Sequence, residues 1–113
     1  MFDSLYPTMQ WANYRSTWPH AQHSQFIQAG GIQWHVQIMG QGPVLLLLHG
    51  TGSGSFSWRG LMPLLSSHFQ VVAPDLPGHA FTSRGPEGSL SLQGMSEGLR
   101  ALLLQLNVTP SVI

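Results

Sequence analysis

Two short segments carry the residue types that could do chemistry. The first is His49-Gly50-Thr51-Gly52-Ser53-Gly54-Ser55, a loop with three glycines directly after a run of apolar residues. The second is Asp75-Leu76-Pro77-Gly78-His79, which follows another apolar run. A glycine loop beside a helix start presents backbone N–H groups that can hold an anion, either a phosphate or the oxyanion that develops in acyl transfer. Glycines that merely let the chain turn would look the same. The phosphate reading has firm requirements. A Walker loop needs a lysine, and this chain has none. A dinucleotide loop needs G-x-G-x-x-G and an acid on the next strand. Gly50-Thr51-Gly52 supplies the opening and Asp75 stands roughly where the acid belongs, but Ser55 occupies the place of the third glycine. That broken fingerprint is the structural competitor to the oxyanion reading.

A third pattern, Gly94-Met95-Ser96-Glu97-Gly98, matches the G-x-S-x-G of a nucleophile elbow. An elbow sets its serine on a strained turn between a buried strand and a helix. Leu99–Leu106 would serve as the helix, but Ser89–Gln93 is a poor buried strand and Met95 continues an apolar helical stripe. Ser96 therefore reads as an exposed helical serine. The six histidines are His20, His23, His35, His49, His68 and His79. No two share a helix at ligand spacing, so no metal site is expected. Cysteine is absent, which removes thiolate ligands and a thiol nucleophile. His49 and His79 lie on the two ligand-facing loops and read as hydrogen-bonding residues that shape them.

The elements that must hold these loops follow from hydrophobic periodicity. Gln25–Ala29 is short and β-like, and Gly30-Gly31 is a two-residue hairpin signal. Ile32–Met39 alternates, with Ile32, Trp34, Val36 and Ile38 on one face and Gln33, His35, Gln37 and Met39 on the other. Val44–Leu48 is apolar without alternation, the pattern of a strand buried on both faces in a parallel sheet. Ser57 is placed to cap a helix near Trp58, with Trp58, Leu61, Met62, Leu65 and Phe69 on its buried face. Pro63 delays regular helix to about Gly60–Met62. Gln70–Ala73 is a second buried strand. Ser91 caps a helix carrying Leu92, Met95, Leu99, Leu102, Leu103 and Leu106 on one face and ending at Asn107. Thr109–Ile113 approaches a further strand. An antiparallel hairpin leading into βαβα is the α/β class with a mostly parallel sheet. Residues 1–24 hold Trp11, Tyr14 and Trp18 without a clear period and form an N-terminal extension; residues 25–113 form the domain.

Of the 113 residues 42% are hydrophobic and only 7% are charged, four arginines against four acids. That balance gives no basic face for nucleic acid and no polybasic membrane anchor. The N-terminus lacks the basic-then-apolar order of a signal peptide. No apolar run reaches the length of a transmembrane segment. A cytoplasmic location is expected.

The pair Val44-Leu45-Leu46-Leu47-Leu48-His49-Gly50-Thr51-Gly52 and Val71-Val72-Ala73-Pro74-Asp75-Leu76-Pro77-Gly78-His79, with Trp58 between, resembles the amino-terminal half of the α/β-hydrolase superfamily. Trp18-Pro19-His20, Ala29-Gly30-Gly31 and Trp34-His35-Val36-Gln37 add a likeness to its magnesium-chelatase accessory subfamily of bacteriochlorophyll synthesis. The resemblance covers about residues 18–113. It implies a protein that assists magnesium insertion, with magnesium chelatase subunits or a tetrapyrrole as partners and no cofactor of its own. A serine-type hydrolase of a small ester or epoxide is one alternative, and a non-catalytic tetrapyrrole- or subunit-binding module is another. The resemblance makes the Thr51 N–H an oxyanion-hole donor. Gly50 and Gly52 let the loop take its shape and His49 orders it, while Asp75, Gly78 and His79 shape the second loop. It places the nucleophile elbow just past Ile113 and the triad acid and histidine later still, in the order Ser, Asp/Glu, His. The domain is thus expected to be incomplete and the 113-residue chain hydrolytically inactive. One residue departs from the pattern: Ala80 stands where many relatives have glycine. If that position needs positive φ, alanine strains it.

Overall fold

A computed structural model describes residues 9–113, so the first eight residues of the expected extension lie outside the described residues. The elements run α1 (Trp11–Tyr14), β1 (Ser24–Ala29), β2 (Ile32–Met39), β3 (Val44–Leu46), α2 (Met62–Leu65), β4 (Gln70–Pro74), α3 (Leu92–Leu106) and β5 (Pro110–Val112), with 3-10 turns at Ala21–His23 and Ser55–Trp58. Gly30 and Gly31 take φ of 61° and 76°, which closes the β1–β2 hairpin without side-chain strain. The strands lie in the order β1-β2-β4-β3-β5. β2 is antiparallel to β4, and β3 is parallel to both β4 and β5. This is the α/β class with its leading hairpin, as the hydrophobic pattern predicts.

The centre of the sheet departs from expectation in one respect. Regular pairing of β3 stops at Leu46; Leu47 still donates its N–H to the Val72 carbonyl at 2.9 Å, but Leu47 and Leu48 are only half-buried. Burial on both faces is therefore confined to Leu45 and Leu46. The strand has a neighbour on each side, because Val44 and Leu45 also pair with β5.

Neighbouring residues of each strand point to opposite faces, and each face has its own core. Met39, Met62, Val71 and Ala73 meet Leu47, Trp58, Leu65 and Phe69 on one side. Ile32, Trp34, Val36, Leu46 and Val72 meet Leu99, Leu102, Leu103 and Leu106 of α3 on the other. The expected helix near Trp58 is instead a 3-10 turn, and the Ser57 hydroxyl donates to the Gly54 carbonyl at 2.9 Å rather than capping a helix. α2 is a single turn with Pro63 at its start, and Leu61 is exposed. α3 begins as expected: Ser91 Oγ accepts the Gly94 N–H at 3.0 Å, and Asn107 ends the helix in the left-handed region at φ 57°. Leu92, its first residue, is 89% exposed and drops out of the expected stripe. With Leu48, Leu76, Leu104 and Ile113 it borders an apolar groove of about 490 Å³.

The polar face of β2 is solvated only at Gln33. His35 and Gln37 are fully buried beneath residues 9–23 and the loop that follows Gly78. The Trp11 ring lies 5.1 Å from His35 and 5.0 Å from Phe81, and Trp18 lies 4.6 Å from Phe81. Gln37 Nε2 donates to the Pro19 and His20 carbonyls at 2.8 and 3.2 Å.

Ser96 lies exposed within α3, far from any strand-to-helix turn. The glycines that frame it serve packing instead. A Cβ on Gly98 would come within 3.3 Å of both Ile32 and Trp34. A Cβ on Gly94 would overlap the Gly88 carbonyl oxygen, which the Ser91 hydroxyl already holds at 2.8 Å. Replacing a helical glycine by alanine normally gains about 1 kcal/mol, whereas overpacking against fixed backbone costs roughly 1–3 kcal/mol. Gly94→Ala is therefore expected to lower stability in urea denaturation despite the better helix former. Gly60→Ala, which meets nothing within 4 Å, is expected to leave it nearly unchanged. A Gly94→Ala protein as stable as the parent would contradict this packing account.

Candidate functional site

The site is built on a carboxylate with no exposed surface. Asp75 directly follows β4 and is completely buried. Oδ1 accepts the Ser55 N–H at 2.7 Å. Oδ2 accepts His35 Nδ1–H at 2.7 Å and the Phe81 N–H at 3.2 Å. One side chain thus joins β2, the turn after the glycine loop and the loop beyond Gly78. Burial alone would push its pKa up. The hydrogen bond and electrostatic pull of His35, with the Ser55 N–H, outweigh that and hold the carboxyl below its ordinary value. On its far side His35 Nε2 lies 2.7 Å from Ser24 Oγ. Ser24, His35 and Asp75 therefore have the connectivity of a hydrolytic triad. Ser24 Oγ also accepts the Gln37 amide at 3.1 Å, and Gln37 holds the Pro19 and His20 carbonyls beside it. The array is a structural brace.

The two sequence-predicted loops leave the carboxyl ends of β3 and β4 side by side, where an α/β sheet binds its ligands. His49 is buried, accepts the Leu76 N–H on Nε2 at 2.9 Å, and donates Nδ1–H to the Gly50 carbonyl at 2.7 Å. Burial lowers its pKa most. The Gly50 carbonyl works against that, His79 adds to the fall and Asp75 opposes it, with a net value below ordinary histidine. His79 Nε2 accepts the Gly52 N–H at 3.0 Å, and its Nδ1–H donates to the Pro77 carbonyl at 3.1 Å. Gly52 and Gly78 need their glycine: φ is 80° and 77°. Thr51 is exposed at the tip, and its N–H has no protein acceptor among the described residues. That free N–H is what an anion would meet.

Ala80 takes φ of 45°, the left-handed conformation that disfavours a Cβ. Its carbonyl accepts the Met9 N–H at 3.2 Å, and its Cβ faces Gly54. The structure brings together His49, Gly50, Thr51, Gly52, Asp75, Gly78 and His79. Sequence reasoning missed His35, Ser24, Gln37 and the N–H groups of Ser55 and Phe81. The signal available was the strand alternation that puts His35 and Gln37 on one face, with three aromatic residues upstream to cover it. Among the described residues no group of three or more histidine and acidic side chains could hold a metal ion.

A family model described as the alpha/beta hydrolase fold matches residues 43–113. The magnesium-chelatase 30 kDa subunit of Rhodobacter capsulatus is 39% identical over 100 residues, which is 87% of this chain and 35% of that protein. The 2-hydroxy-6-oxo-2,4-heptadienoate hydrolase of Pseudomonas putida is 40% identical over 72 residues, 61% of this chain and 26% of that protein. Among solved structures, an epoxide hydrolase of Vigna radiata superposes with a TM-score of 0.71 at 34% identity, over 79% of this chain and 29% of that one. The chain thus spans roughly a third or less of the length of these relatives.

Removing the buried carboxylate strands three donors. Asp75→Ala is expected to cost about 3–5 kcal/mol, the range for breaking a buried pair, read as a loss of urea midpoint. Acid should act in two stages. A lowered histidine pKa gives stability that is complete above about pH 6.5 and falls below it as the unfolded chain takes up the proton; a lowered carboxyl pKa gives stability that is complete above about pH 4 and is lost below it. The melting temperature should therefore fall first below about pH 6.5 through His49 and again below about pH 4 through Asp75. His49→Gln should flatten the first step and leave the second. Ala80→Gly should relieve about 1–2 kcal/mol of left-handed strain and return about 0.4–1 kcal/mol to unfolded-chain entropy. A small rise in melting temperature is expected, and a fall would show that the Cβ contact with Gly54 outweighs the strain.

Proposed function

The chain belongs to the α/β-hydrolase-fold family, and from that premise we propose that it serves as an accessory protein of magnesium chelatase, acting on chelatase subunits or a tetrapyrrole. The observation that carries this reading is the 39% identity to the magnesium-chelatase 30 kDa subunit, spread over 87% of the chain rather than confined to the glycine loop. Within this reading the loop His49–Ser55 forms one wall of an anion-binding site and Thr51 N–H is a hydrogen-bond donor to it. In an acyl-transfer reaction that N–H would meet the oxyanion as charge develops, a contribution typically of about 10²–10³ in rate per donor. Gly50 and Gly52 keep side chains off the approach, and Asp75 fixes the end of the loop through Ser55 N–H. The nucleophile and the second donor belong to an elbow that residues 1–113 do not contain. Ser96, helical and exposed, does not substitute for it.

A second reading is a serine-type hydrolase of a small ester or epoxide. It is favoured by the 40% identity to the Pseudomonas putida hydrolase and the likeness to the epoxide hydrolase. A tetrapyrrole- or subunit-binding module without catalysis uses the same fold and needs no elbow.

The test is binding. The chain is expected to bind purified magnesium chelatase subunits or protoporphyrin saturably in calorimetric titration, and to leave p-nitrophenyl acetate unhydrolysed above buffer. Absence of binding to both removes the chelatase reading and favours the hydrolase one. Ester turnover that survives Ser96→Ala would overturn the assignment of an inactive chain.

A further inference from the structure

The two site loops hold each other through a reciprocal pair of imidazoles. His49, on the first loop, accepts the Leu76 N–H of the second. His79, on the second, accepts the Gly52 N–H of the first. Each bond spans 27 positions of sequence. In both rings Nε2 is the acceptor, and Nδ1–H is engaged by a nearby carbonyl, Gly50 for His49 and Pro77 for His79. A neutral imidazole has one donor and one acceptor, and both rings use both, in the same tautomer. An imidazolium has two donors and no acceptor, so it cannot receive a backbone N–H. The ring centroids are 5.0 Å apart, where a second positive charge is repelled by the first.

We infer that this clasp is a proton-sensitive latch on the Thr51 loop: with both rings neutral the loop is fixed between its two struts, and protonation of either ring frees a strut and lets the loop move. Among the described residues, Asp75 is the acidic group that acts on the pair, and Arg84 is the cation whose chain runs beside the second loop. The aliphatic stem of Arg84 passes Gly78 on that loop. Asp75 draws a proton toward His49 but has no oxygen free to bond the ring, since both are taken up by His35, Ser55 and Phe81, and an arginine is no counter-ion to an imidazolium. The burial that lowers the His49 pKa favours the closed latch at neutral pH. The inference rests on the oxyanion reading only for what the latch would control; the latch itself belongs to the two rings.

The experiment uses the ¹⁵N-labelled 113-residue chain. Long-range correlation to the ring nitrogens at pH 7.5 is expected to show both rings protonated on Nδ1 alone. The Gly52 and Leu76 amides should be protected from exchange at pH 7.5. At pH 5.5 that protection, corrected for intrinsic rates, should fall by roughly two- to tenfold, the size of one lost hydrogen bond, with Val72 in β4 unchanged. His79→Gln replaces the ring nitrogen with an acceptor oxygen that takes no proton, so Gly52 should stay protected at pH 5.5. His79→Leu should lose Gly52 protection at both pH values; if that variant does not fold, the glutamine variant decides alone. Rings protonated on Nε2, Gly52 protection indifferent to pH, or the same acid response in His79→Gln as in the parent would each overturn the latch. The function of the loop is read separately, from the Thr51 amide shift on titration with acetate. A latch that behaves as described beside a Thr51 amide that ignores acetate removes the oxyanion role and keeps the latch.

Discussion

A carboxylate without solvent is costly unless each oxygen is met by a donor, and the arrangement around Asp75 is a direct answer to that constraint. The three groups that meet it come from three different parts of the chain: a strand side chain, a turn N–H and a loop N–H. None of those parts can shift without leaving the charge partly unpaired. The glycine loop is consequently located at its far end by Ser55, and the loop beyond Gly78 by Phe81. The candidate anion site thus takes its geometry from a residue that does not touch the anion.

The same constraint explains why the first strands carry polar residues inward. His35 and Gln37 sit on a buried face because each has a partner there, and the aromatic groups of residues 11–18 close over them. Segregation of polar and apolar faces is normally a sign of one wet side. Here, beyond the exposed Gln33, both sides of β2 are dry: one is apolar against α3, and the other is a hydrogen-bonded layer at His35 and Gln37 roofed by tryptophan and phenylalanine. Packing on that second side makes residues 9–23 part of the structure that supports the site.

Much of the architecture was readable from period and punctuation. The hairpin at Gly30-Gly31, the helix between Ser91 and Asn107, and the placing of both loops at strand ends follow from local chemistry, because each depends on residues a few positions apart. What could not be read depends on tertiary neighbours. The Ser55–Trp58 segment has the composition of a helix start, yet it is a 3-10 turn whose first N–H is held by Asp75 at the end of β4. Leu92 and Leu61 fit an apolar stripe, yet both are left exposed. The importance of His35 was hidden because a histidine on a polar strand face usually faces water. The strain at Ala80, by contrast, was signalled by the family resemblance, which puts glycine at that position, and the φ of 45° bears it out. The role of Thr51 as a donor rests on family likeness, while His49 and His79 were read as shaping their loops; the structure adds where they lie and what they bond.

The wide sequence separation of the groups around Asp75 has a kinetic meaning. Its partners lie 40, 20 and 6 positions away, so the carboxylate can shed its hydration only after the hairpin, the crossover and the following loop have all been drawn together. Closing such loops is entropically expensive before any contact compensates it. The hub is therefore expected to form late in folding. Changes to it would act chiefly on the lifetime of the folded state rather than on the speed of reaching it.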